Sequence, residues 1–559
     1  MITRSAHLSK YIIALSIWIV LSYNLAQAQE VQRTKTNSTI IDWHLQKWQP
    51  GKSYGISWNI VKDSLLTNQI PTPVVVAILD TGVDTAHHAI YKRLWHNPHA
   101  QNAPHSKKRH NKYINDKYGW NFLGNSIDNQ QNITKEHYEY QRIYFNGLSS
   151  YGSYKPKKWA KLFHKKGYQE WQRAKTEMIS NSPERLMARG LRFYQSLLPD
   201  QDTVLQIKFQ KTYDYNDLEK MTIDSTDHTL VAARGMMMGM YRYFPKHTKN
   251  SDINNAMDSV IAYYQALPPT LPDSLGSYRT AVINFSKGKK GKRHYGNPNI
   301  AASDTRHGTH VAGIVAGIAQ TNGFSGIGSS EVSLMIVRVV PSDGDEHDED
   351  IAAGIRYAVD NGAHIINMSF GKSYSPDLKL VNKAIRYAQK KDVLLVHAAG
   401  NSSIDLDTTY NYPNPKVGRK KAKNYITVGA STNPHFSHGK IVAKFSNIGK
   451  NTVDVFAPGD NIYSTLPGNR YAALSGTSMA APVVTGLAAV LKAYYPNLKA
   501  HDLKQIIEAS VLPPDQNDPL INKEQKYIMQ ENSISGGIIN ALRAFELAEK
   551  WYNPENKKL

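Results

Sequence analysis

Four short stretches of this chain carry a polar side chain where packing alone would not require one. In AILDTGVD, Asp80 closes an apolar run. In RHGTHVAGIVAG, His307 opens a segment dense in small residues. In HAAGN, Asn401 follows another apolar run, and in LSGTSMAAPVVTG, Ser478 stands ahead of the long apolar stretch GLAAVLKAYY. A helix that only filled a core would have no need to start with Gly476-Thr477-Ser478. A serine hydroxyl is a weak nucleophile at neutral pH and becomes useful only beside a base. Imidazole is the side chain that most readily exchanges a proton in that range. Singly, each residue has a plain structural reading: Asp after a strand is a turn residue, His near a helix start is usually structural, and Ser at a helix N-terminus is an ordinary cap.

The elements that would position these residues are legible from apolar patterning. PVVVAIL (73–79) is a continuous β-branched run that leads into Asp80. Similar runs follow at 332–340, 363–370, 392–400, 424–430 and 453–459. Continuous rather than alternating apolar residues suggest strands buried on both faces, as in a parallel sheet. Helical patterns lie between several of them. DEDIAAGIRYAVDNG (348–362) opens with acids and closes on Gly, and PDLKLVNKAIRYAQKK (376–391) is amphipathic. Strand and helix alternate, so the expected fold is α/β: a doubly wound, mostly parallel sheet flanked by helices. In such sheets function gathers at the carboxyl ends of strands, and Asp80 and Asn401 both sit where an apolar run stops.

Residues 131–295 break this rhythm with Tyr-, Lys- and Arg-rich helical patterns, for instance over 157–178 and 252–267. The segment reads as an inserted helical subdomain. It holds 26 Lys and Arg against 15 Asp and Glu, a net of +11 out of +21 for the chain. Such a balance suits an anionic surface. No compact nucleic-acid motif accompanies it, and a solvated basic surface is the simpler reading. The run MMMGM (236–240) is read as core filling. At the N-terminus, Arg4 and Lys10 precede an apolar run of 13 residues and then Ala26-Gln27-Ala28. This pattern predicts an export signal over 1–28, cleaved after Ala28, and the run is short of the roughly 20 residues that span a bilayer. The absence of cysteine excludes disulfides, a cysteine nucleophile and thiolate metal sites.

Taken together, DTGVD, HGTHVAG, NMSFG, AAGN, FSNIG, VDVFAPG and GTSMAAP strongly resemble the subtilisin family of serine peptidases, over roughly residues 50–130 and 296–550. The resemblance implies an exported serine endopeptidase. Ser478 would be the nucleophile, His307 the base that takes and returns its proton, and Asp80 the carboxylate that orients the imidazole. The Asn401 side chain and the Ser478 backbone N–H would stabilise the oxyanion. Ser369-Phe370-Gly371 would pair with the peptide backbone, and Ala398-Ala399-Gly400 would wall the primary pocket. The pocket base falls near Asn411-Tyr412-Pro413, where many members carry Gly in place of Asn411. Pro482 is expected within the first turn or so of its helix, and Met479, next to the nucleophile, is a candidate for oxidation. His310 is read as structural rather than as a metal ligand.

Several departures accompany the resemblance. Asp80 and His307 are 227 residues apart, where simple members have roughly thirty, and the insertion lies in that gap. Residues 29–70 are too few for a standard prodomain, so they read as an extension that partly packs on the catalytic part (71–130 and 296–550). A short tail, 551–559, ends the chain. The chemistry requires no cofactor. Calcium commonly stabilises the family, but neither the acidic run 343–350 nor the pair Asp405 and Asp407 identifies a site. Expected partners are protein or peptide substrates, with no nucleic acid, for a monomer exported to the periplasm or beyond. The alternative is an inactive peptide-binding or surface-binding protein on the same fold.

Overall fold

The computed structural model describes residues 41–66, 70–100, 113, 115–152, 165–224, 227–241, 244–276, 278–283, 294–302, 304–328, 331–418, 420–515, 517–525 and 527–552. The export signal expected over 1–28 lies outside them. Two compact units emerge. One comprises residues 143–275, and the other joins 39–142 to 276–559.

The larger unit is built on seven strands: Val74–Asp80 (β1), Gly119–Asn121 (β2), Val332–Arg338 (β3), Ile365–Met368 (β4), Leu394–Ala398 (β5), Tyr425–Ser431 (β6) and Val455–Pro458 (β7). They pair in the order β2-β3-β1-β4-β5-β6-β7, every pair parallel. Alternate side chains of a strand face opposite sides of its sheet. In β1, Val74, Val76 and Ile78 join one core, while Ala77 and Leu79 join the other. Both cores are apolar, so the strands read as continuous apolar runs, as the sequence predicts. The sequence did not mark β2 as a strand, since three residues are too few to show a period.

Six helices cover the sheet: Arg306–Ala316 (α1), Asp348–Asp360 (α2), Leu378–Lys390 (α3), Thr477–Tyr494 (α4), Ala500–Ala509 (α5) and Ala541–Tyr552 (α6). Helix α3 buries Val381, Ala384, Ile385 and Ala388, the i, i+3, i+4, i+7 stripe of an amphipathic helix. Helix α4 is buried nearly all round, which explains its uniform apolarity; among the described helices it alone is long and apolar enough to cross a membrane. An antiparallel hairpin, Ile462–Leu466 (β8) and Arg470–Leu474 (β9), leads into it. Helix α6 starts at Ala541, after the run GGIIN (536–540). Gly536 sits at φ +76°, and Ile538 and Ile539 are extended, bonded to Leu512 and Phe456. Within the extension, Trp43, Leu45, Ile56 and Trp58 are buried in the same core as α1 and α4.

The smaller unit is helical, with helices over Lys165–Ser180, Pro183–Phe209, Tyr215–Lys220, His228–Met240 and Asn250–Ala266. Its core gathers Leu191, Leu198, Leu205, Met237, Met240, Ile253, Met257 and Ile261. Two residues of the MMMGM run thus fill core, and Met236 and Met238 pack against it. The segment 131–295 set apart by sequence is wider than this unit. Arg279 donates to both oxygens of buried Asp350 at 2.6 and 2.7 Å, and the Trp120 indole donates to the Tyr295 carbonyl at 3.0 Å, both inside the larger unit.

Candidate active site

Strand β1 lies between β3 and β4, where the chain's course across the sheet reverses, and it delivers Asp80 to the carboxyl edge. Asp80 is buried, and its Oδ1 lies 2.7 Å from Nδ1 of His307 and accepts from the Thr81 N–H at 2.7 Å. Seating helix α1 this close depends on two glycines. A Cβ on Gly308 would fall 2.1 Å from the Gly82 carbonyl oxygen. Gly82 is at φ +101°, and its own Cβ would meet the Ile300 carbonyl at 2.3 Å. Burial pushes the His307 imidazole down, but the Asp80 carboxylate and its hydrogen bond more than offset this, leaving the pKa above the ordinary 6.5. Arg338, the last residue of β3 and the register partner of Asp80, was not among the residues expected at the site. It is fully buried and donates to the Thr81 carbonyl at 3.0 Å, Asn121 Oδ1 at 3.1 Å and the Ile133 carbonyl at 2.6 Å, pinning the turn after Asp80. Its signal was present: a cation closing the apolar run VSLMIVR.

Ser478 is the second residue of α4, after Gly476 and Thr477. Pro482, expected near the first turn, is the sixth residue of the helix. It has no N–H to give the carbonyl four residues back, which is that of Ser478. The Ser369 hydroxyl donates there instead, at 2.9 Å. In return the Ser478 hydroxyl donates to the Ser369 carbonyl at 3.0 Å rather than to His307. The structure therefore joins Asp80 to His307 and Ser478 to Ser369. The two pairs are neighbours, because Leu79 of β1 is in register with Met368 of β4, and Asp80 and Ser369 are the next residues of adjacent strands. Asn367 completes the bracing, donating to the Ser369 hydroxyl at 2.9 Å and accepting from Thr485 of α4 at 2.9 Å. Met479 is buried at 2% exposure.

Asn401 lies just past β5. Its Oδ1 accepts from the Thr477 N–H at 2.8 Å and the Thr477 hydroxyl at 2.9 Å. A backbone N–H can only donate, so the acceptor is the amide oxygen, and Thr477 leaves the –NH2 of exposed Asn401 unused. Ala398, Ala399 and Gly400 follow on the same edge. The Asn411 carboxamide donates to the Ala398 and Ala399 carbonyls, both at 3.0 Å, and stands against Gly371, where an added Cβ would lie 2.3 Å from its Oδ1. Asn411 thus bridges residues 398–399 and Gly371. Beneath them, buried His397 is held near pKa 4 by burial and donates to the Phe370 carbonyl at 2.7 Å. Tyr425 donates to the Pro413 carbonyl at 2.7 Å.

His310 is buried; its Nε2 bonds the Ala472 carbonyl at 3.0 Å, and burial lowers its pKa to about 3. It ties α1 to β9 as a neutral ring. The acidic run 343–350 does not fit a calcium ion. Lys372 meets Asp348 at 2.9 Å, Arg279 holds Asp350, and burial pushes the Glu346 carboxyl up to about 8. The Asp407 carboxylate is likewise taken up, by Asn451 and Thr452. Among the described residues no three His, Cys, Asp or Glu are grouped to hold a metal.

A parallel sheet with a carboxylate–imidazole pair and a helix-borne serine on one edge belongs to the class of serine hydrolases. A profile of the subtilase family, Peptidase_S8, matches residues 72–527, and the chain belongs to that family of serine-type endopeptidases. It is similar to Subtilisin DY of Bacillus licheniformis, 39% identical over 206 residues that cover 36% of this chain and 69% of that protein. It is also similar to the major intracellular serine protease of Bacillus subtilis (strain 168), 40% identical over 202 residues, 36% of this chain and 59% of that protein. A cell wall-associated protease of the same organism is 35% identical over 269 residues, 48% of this chain and 27% of that protein.

Proposed function

We propose that this protein is an exported endopeptidase that hydrolyses peptide bonds through Asp80, His307 and Ser478 by way of an acyl-enzyme. The observation that carries the reading is the 2.7 Å contact from Asp80 to His307 Nδ1, one strand away from the serine at the start of α4. With Nδ1 occupied by the carboxylate, the ring's other nitrogen is the one left to act as base. A turn about the Cα–Cβ bond of Ser478 exchanges its Ser369 partner for His307 when substrate enters. The serine then attacks the scissile carbonyl, and His307 passes the proton to the leaving amine. The –NH2 of Asn401 and the Ser478 N–H, at the positive end of α4, receive the negative charge on the carbonyl oxygen. Ser369-Phe370-Gly371 pairs with the substrate backbone, and Ala398-Ala399-Gly400 walls the pocket beside it. Protein or peptide is the substrate, residues 1–28 direct export, and the enzyme works as a monomer without a metal in the chemistry.

A fluorophosphonate probe tests this directly. The unaltered protein should take up the probe on Ser478 and cleave casein, and Ser478→Ala should do neither. Casein cleavage that survives Ser478→Ala, or an unlabelled Ser478, would overturn the proposal. Mass spectrometry of exported material should give Gln29 as the first residue.

A further inference from the structure

We propose that Glu139 and Lys372 form a positioning pair for the peptide-binding edge, so that residues just ahead of the helical unit set how well an extended substrate is held. Lys372 directly follows Ser369-Phe370-Gly371, and its side chain is fully buried. Its ammonium donates to Glu139 Oε2 and to the Glu346 carbonyl, both at 2.7 Å, and lies 2.9 Å from Asp348 Oδ1 as an ion pair. Its main chain is committed too. The Lys372 N–H donates to the Tyr412 carbonyl at 3.0 Å, and the Tyr412 N–H donates back at 2.8 Å. One residue therefore fixes the peptide-pairing segment to the 411–413 wall through its backbone and to Glu139 through its side chain. Arg142 donates to the same Glu139 Oε2 at 2.7 Å and to Oε1 at 3.2 Å, and the Glu139 N–H donates to Asp345 Oδ2 at 2.8 Å.

A buried ion pair is a poor way to gain stability, since apolar residues of like volume serve as well or better. It does define one geometry, because each charge must keep its partners. That is what a segment needs when it must present backbone N–H and C=O groups in register to a peptide. The inference rests on Ser369–Gly371 receiving the substrate.

The test compares Glu139→Gln, Lys372→Met and the double variant on two substrates. p-Nitrophenyl acetate engages only the nucleophile and the oxyanion donors, whereas a tetrapeptide p-nitroanilide lies along the edge. We expect KM for the peptide to rise about tenfold in each single variant, kcat and ester hydrolysis to change far less, and Lys372→Arg to recover part of the loss. In the double variant the effect should be no larger than in Lys372→Met alone. Parallel loss on both substrates, or no change in peptide KM, would overturn the pair's role. If a single variant does not fold, the double variant, which removes both members of the pair and costs Asp348 and Arg142 one partner each, is judged by the same criteria. Absence of ester hydrolysis by the unaltered protein would instead sink the endopeptidase reading.

Discussion

At the scale of single residues, the site's electrostatics turn on which atoms are already engaged. Thr477 occupies the Asn401 oxygen twice, so the amide –NH2 has a fixed direction before substrate arrives. Removing that donor should cost the transition state more than the ground state. We expect Asn401→Ala to lower kcat by two to three powers of ten, about 3–4 kcal/mol, with KM nearly unchanged; a matching rise in KM would argue against an oxyanion role. The same logic gives a pH dependence. In the proposed mechanism His307 is the base and must be neutral to serve, and its pKa lies above 6.5 because Asp80 favours the imidazolium. Activity should therefore rise with pH along an acid limb whose midpoint lies above 6.5. Asp80→Asn removes the raising charge, so the surviving activity should show that midpoint at lower pH. The pair's contribution to stability has the opposite sense: it is fully present below 6.5 and is lost as pH climbs through the folded-state pKa.

At the scale of elements, the site exists because α1, α4 and the ends of β1 and β4 approach closely. Gly308 is the tightest point. Giving it a methyl group places carbon 2.1 Å from the Gly82 carbonyl oxygen, so α1 must back away and carry His307 with it. A displacement of about 1 Å is enough to lower kcat/KM roughly a hundredfold. Gly308→Ala should do so while circular dichroism stays native, and activity within twofold of the unaltered enzyme would show that the approach is slack. Apolar strands declare themselves, so β1 and β3 to β7 were legible in the sequence, as were α2 from its acidic start and closing glycine and α3 from its stripe. Elements defined by partners rather than composition were not. Strand β2 is three residues long, and β9 of the hairpin carries half-buried, mixed side chains. Of the candidate site, Asp80, His307, Asn401 and Ser478 stood out in the sequence because their flanking residues are distinctive. His397 and Lys372 did not stand out, since a buried polar residue is explained only by the carbonyls and carboxylates that the fold brings to it, and Arg338 was marked only as a cation closing an apolar run.

At the scale of the whole molecule, the question is where the basic charge resides. The helical unit 143–275 holds 18 Lys and Arg against 13 Asp and Glu, a net of only +5. The shorter stretch 276–295 holds six basic residues and no acidic one, five of them in KGKKGKR (287–293). If the protein is retained on anionic surfaces, density of charge decides it, and the short run is the denser by far. Excision of 143–275 is also structurally reasonable, because His137 bonds the Gly276 carbonyl at 2.8 Å, so the chain leaves and returns at nearby points. We expect a variant with that unit replaced by a short Gly-Ser linker to keep ester hydrolysis and most of its retention on heparin-agarose. Replacing Lys287, Lys289, Lys290, Lys292 and Arg293 by Ser in the full chain should lower the eluting salt concentration more than the excision does. The reverse ranking would assign surface attachment to the helical unit and make it, rather than the run after it, the adhesive part of the enzyme.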